Sequence, residues 1–140
     1  MKNYISAAMV MCCAASATFA KQEAWFCNIH DLSDFGFVPS QVAIVMDQET
    51  NQATIVDTFG MAFNGGPTAA KLKSRGNDKW RVSWRVRNIE TSNVGTKSVS
   101  YQVDFDRTAK KVTLRGRLPN YSNRISGTGK CQEVDPKSLR

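Results

Sequence analysis

Histidine occurs once in this 140-residue chain, at His30, and cysteine only four times. One imidazole and four thiols fall short of a Cys/His zinc module. No Gly-x-Ser-x-Gly surrounds a serine that His30 could activate. No apolar run reaches the roughly 20 residues of a membrane-spanning helix. A chain this short also lacks room for a nucleotide-binding α/β enzyme. Helical periodicity is nearly missing, and no oxygen-ligand loop spacing supports Asp31 and Asp34 as a calcium site. With 41% hydrophobic and 22% charged residues it is not a disordered polyelectrolyte. The sequence reads as one small globular domain without enzymatic machinery, metal or cofactor.

Residues 1–20 have the plan of a secretory signal peptide. Lys2 supplies the positive start, 5–17 form a short apolar run, and Thr18 and Ala20 occupy the −3 and −1 positions. Cleavage after Ala20 leaves a single domain over 21–140, with eighteen basic residues against twelve acidic ones, a net charge of +6. Cys12 and Cys13 depart with the leader. Cys27 and Cys131 remain, and in a periplasmic or secreted protein they are expected to pair. A closed loop of about 100 residues is worth roughly 4–5 kcal/mol in the chain-entropy picture.

Alternation of period two dominates the rest. In 79–87, Trp80, Val82, Trp84 and Val86 alternate with Arg81, Ser83, Arg85 and Arg87. Similar patterns run through 98–105 and 112–118. Weaker ones cover 23–30, 41–47, 52–59, 68–75 and 125–133. Eight half-buried strands predict an all-β domain, an antiparallel up-and-down barrel with a β-sandwich as the alternative. The connections sort by length: short after strands two, four and six, and long over 31–39, 60–67, 88–96 and 119–124. A meander places alternate connections at the same end, which favours the barrel. Cys27 and Cys131 then face each other across the seam between strands one and eight.

Two clusters stand out as candidate sites. Phe35, Phe37, Met61, Phe63 and Tyr121 fall in or beside the long loops, where they either cap the barrel or form a binding mouth. Charge is the other signal. Residues 21–66 carry one basic and six acidic residues, whereas 67–140 carry seventeen basic and six acidic. Folding strands four and five about Asn77 sets Lys73 opposite Arg81 and Lys71 opposite Ser83. Lys71, Lys73, Arg75, Arg81, Arg85 and Arg87 then share one outer face, an anion-binding candidate or simply a solvated surface. Asp104 and Asp106 are expected to pair with Arg or Lys across strands. Gly116, Gly127 and Gly129 fall on inward faces, where they make room for tryptophans or leave a hollow.

The leader, the meander, the terminal cysteine pair and the ending Gly127-Thr128-Gly129-Lys130-Cys131 together resemble small exported bacterial β-barrel proteins of calycin and lipocalin-like architecture, over roughly 23–133. Small periplasmic protease inhibitors are similar in architecture too. The resemblance implies a binding protein. The first expectation is an apolar or amphipathic ligand held at the long-loop end. The second is a protein-interaction module or inhibitor of an exported enzyme. The third is an anionic envelope component met by the basic face, with no role for nucleic acid.

Overall fold

The alternating segments form eight antiparallel strands that close into one up-and-down barrel. The structure is a computed structural model that describes residues 22–33, 36–91, 95–122 and 124–139. The expected leader and its cut after Ala20 lie outside the described residues. The strands are β1 (Gln22–Asp31), β2 (Gln41–Asp47), β3 (Gln52–Asp57), β4 (Thr68–Gly76), β5 (Lys79–Thr91), β6 (Gly95–Asp106), β7 (Lys111–Arg117) and β8 (Ile125–Val134). β1 pairs with β8 from Ala24↔Val134 to Asp31↔Gly127, which leaves no sheet edge and sets the sandwich aside.

The seam carries two devices. Cys27 and Cys131 are directly opposed and joined by a disulfide. Gly127 and Gly129 let β1 come close: a Cβ on Gly127 would meet Ile29 Cγ2 at 2.7 Å, and one on Gly129 would collide with the Asn28 carbonyl oxygen. A Cβ on Gly116 would press on Ile125. These glycines therefore accommodate isoleucines and backbone at the strand contacts, not the tryptophans. The inward positions are filled by large side chains. Trp25 packs edge-on to Phe105 with ring centres 5.0 Å apart, and Trp84 stacks on Tyr101 at 5.3 Å.

Where strand bounds depart from the sequence reading, local chemistry explains it. β5 and β6 run on to Thr91 and back from Gly95, so most of the expected 88–96 loop is strand. Asn88, at φ 58°, forms a bulge between Val86 and Ile89, and the buried face resumes one residue late. β3 ends early because the Asp57 carboxylate accepts a hydrogen bond from the Gly60 N–H and starts a single helical turn over Gly60–Asn64. A second short turn, Pro136–Leu139, lies against β1.

Candidate functional site

The connections after β1, β3, β5 and β7 gather at one end, as the meander requires. Three side chains hold this end in place. The Tyr101 hydroxyl donates to the Phe37 carbonyl at 2.7 Å, tying the β1–β2 loop to the barrel floor. Asp57 tethers the helical turn from below. Asn64 tethers it from the side: its Nδ2 donates to the Arg85 carbonyl at 3.1 Å and to Thr68 Oγ1 at 2.9 Å, while its Oδ1 accepts from the Arg87 N–H at 3.0 Å. The Asn64 amide thus stands in for a strand residue along β5.

Asp57 is the one acid in the core among the described residues, 3% exposed, in phase with inward-facing Ala53 and Ile55. Burial pushes its pKa up, and hydrogen bonds from the Gly60 and Phe59 N–H groups offset part of that. The Trp84 indole also leans toward it and favours the charged form. It does not reach hydrogen-bond geometry, so Asp57 Oδ2 and Trp84 Nε1 both lack a partner. Burial, together with the nearby Asp57 charge, raises the Tyr101 pKa well above the ordinary phenol value. The sequence reading passed over Asp57, although its inward phase was the signal that would have found it.

The expected loop aromatics divide. Phe37 and Phe63 are half-buried and pack on the core together with Val38 and Phe59, and Phe63 stacks on Phe59 at 6.5 Å. Met61 and Tyr121 point outward, 49% and 40% exposed, and Lys97 Nζ sits 5.9 Å from the centre of the Tyr121 ring. Phe35 lies outside the described residues. Leu32, 66% exposed in the same set of loops, was missed because an isolated leucine in a polar stretch carries no pattern.

On the outer face, the register is the expected one: Lys71↔Ser83 and Lys73↔Arg81. Asp104 takes up Arg81 at 2.7 Å and Arg115 at 3.3 Å, so Arg81 is not a free cation. Arg81 is partly buried, whereas Lys71, Lys73, Arg75, Arg85 and Arg87 are exposed. A shallow groove of about 1310 Å³ crosses the outside of the sheet, with Lys71, Arg85 and Arg87 among its lining residues. A smaller hollow of about 520 Å³ adjoins Lys71, Lys73 and Arg81, and Arg75 lines neither. β7 adds Arg115 and Arg117 to the large groove. Their outward alternation with Val112 and Leu114 was visible, but only the β5–β6–β7 register brings them to Arg85: Arg85↔Ser100↔Arg117.

Among the described residues, no group of three or more His, Cys, Asp or Glu side chains could hold a metal ion. No protein-family model matches the chain, and no curated protein matches it. What this geometry offers is a small closed β-barrel with an apolar, well-anchored loop end and a cationic outer groove.

Proposed function

We propose that the protein is an exported, non-enzymatic binding module of calycin-like architecture that docks a protein partner through its long-loop end. One observation carries the reading. Among the described residues, the exposed large apolar side chains, Leu32, Met61 and Tyr121, all belong to the loops of one end, above a plug of half-buried Phe37, Phe59 and Phe63. Apolar surface at this end is turned outward. A few anchors of this kind on a rim held by Asn64, Asp57 and Tyr101 suit protein docking, because little ordering remains to be done on association. Lys97 lies over the Tyr121 ring, which favours an acidic group on the partner.

A small ligand beneath the plug is the second reading. The unpartnered Asp57 Oδ2 and Trp84 Nε1 favour it, since a hydrogen-bonding occupant would satisfy both. Photo-crosslinking residues placed at Met61, Tyr121 and, as a control, Lys110 separate the two. The docking reading expects one discrete adduct from Met61 and Tyr121 and none from Lys110. With that partner purified, Met61→Asp should weaken binding about tenfold, the scale of a lost interface anchor. A small molecule retained in the native mass spectrum, lost on Asp57→Asn and accompanied by no adduct, would replace docking with the ligand reading.

A further inference from the structure

We infer that the groove across the outer face of β3–β7 is a second, independent site that takes a chain of acidic polysaccharide. The argument starts from charge. Lys71, Arg85, Arg87, Arg115 and Arg117 border the groove, and Asp47 is the one carboxylate lining it. Of these five cations, only Arg115 has an ion-pair partner among the described residues, at 3.3 Å to Asp104. Arg85 spends its Nε on Ser100 Oγ at 3.3 Å, which keeps the rest of its guanidinium over the groove. Like charges gathered on neighbouring strands cost stability, so the face is built against its own folding interest.

Shape narrows the ligand. The groove runs across neighbouring strands from β3 to β7. A flexible chain can lie along it. Chemistry narrows it further. The floor between the cations is Ser83, Ser100 and Gln102, all half-buried, with Thr54, Gln52 and Asn51 along the β3 side. These are hydroxyl and amide groups, each able to donate and accept, as a polyol requires. Trp84 and Tyr101 border the same strands but turn their rings into the barrel, where they stack on each other. The floor therefore presents no aromatic platform for bases, which single-stranded nucleic acid sites rely on. Cations for acid groups and neutral hydrogen-bonders for hydroxyls together describe an acidic sugar chain.

The test uses heparin oligosaccharide as probe on the processed, disulfide-bonded protein, with binding measured by calorimetry at two salt concentrations. Arg85→Glu with Arg117→Glu should weaken binding about tenfold or more, whereas Lys110→Glu with Lys137→Glu, the same charge change elsewhere, should weaken it less than about threefold. Equal losses from both pairs would overturn the site, since only net charge would then matter. Ser83→Ala with Gln102→Ala alters no charge, leaves the Ser100 contact to Arg85 in place, and keeps the result readable even if the reversed variant misfolds. That pair should weaken heparin binding while leaving inorganic polyphosphate binding unchanged. Equal losses for both probes, or none for heparin, would show that the floor does not read sugar. Tighter binding to an oligonucleotide or to phosphatidylglycerol vesicles than to heparin would likewise overturn the assignment.

Discussion

The two ends of the barrel are closed by opposite chemistries. At the tight-turn end the closure is polar. Glu23 accepts from the Trp25 indole at 2.7 Å, from Gln48 at 3.1 Å and from Arg107 at 2.9 Å, and Arg107 reaches on to Asp78. One carboxylate and one guanidinium so link β1 with all three short turns. At the long-loop end the closure is apolar, a plug of phenylalanines over a buried carboxylate with an unpartnered oxygen. The polar end joins its charges to one another, and there only the Trp80 indole nitrogen, beside the β4–β5 turn, is buried without a partner among the described residues. The apolar end leaves groups unsatisfied and hydrophobic side chains exposed. Polar pairing is concentrated at one end and exposed apolar surface at the other.

The largest effects should come from the two tryptophans beneath these closures. Trp25→Ala and Trp84→Ala should each cost about 3–5 kcal/mol in denaturant unfolding, the range for deleting a buried large aromatic. Phenylalanine separates them. Trp25→Phe gives up a hydrogen bond to a charged group, worth about 1.5–3 kcal/mol, whereas Trp84→Phe removes a donor that has no partner. Trp25→Phe should therefore be the more damaging. The reverse order would mean that Trp84 is satisfied and that the contrast between the ends is misdrawn.

The same contrast explains what could be read from the sequence. The tight-turn end was legible because turn chemistry is local: Asn77 and Asp78, both at positive φ, make a two-residue hairpin with Gly76 opposite Lys79, and a bulge between Ser74 and Gly76 then sets Lys73 against Arg81. Strand faces were legible wherever alternation stayed in phase. They were lost at Asn88, where one inserted residue shifts the phase. The site was less legible because its parts meet only across the fold. Asn64 works by bonding β5, and Arg117 by lying one strand beyond β6. Met61 and Tyr121 were visible as apolar residues in loops; their outward direction was not.

A middle-sized effect separates stability from binding. Arg107→Ala should lower stability by about 1 kcal/mol, because its ion pairs are partly solvent-screened, and should leave partner binding at the other end untouched. Asn64→Ala unfastens the helical turn from β5, leaves backbone groups of Arg85 and Arg87 without their partner, and should cost about 1–2 kcal/mol. It should also weaken partner docking, since Met61 loses its fixed position. If both variants shift stability and binding in parallel, the ends are not independent.

The smallest effect is a pair of pH slopes of opposite sign. Asp78 is held below the ordinary carboxylate value by Arg107, first through the hydrogen bond and then through charge. Its folded form binds protons less readily than its unfolded form. Its contribution is therefore present above the ordinary value and lost as pH falls through the lowered one. Asp57 behaves in the opposite way. Burial raises its pKa, so the folded state holds the proton more tightly, and its contribution is complete below the ordinary value and lost as pH rises through the raised one. Tyr101, pushed upward, stays neutral throughout and adds no slope. In denaturant midpoints followed across the acid range, Asp57→Asn should make stability climb more steeply with pH than in the unaltered protein. Asp78→Asn should flatten the climb. If Asp57→Asn left the curve unchanged, its carboxylate would titrate as an ordinary solvated one; if it flattened the curve too, the fold would stabilise that charge as it does the charge of Asp78, and either result would remove the burial penalty from the long-loop end.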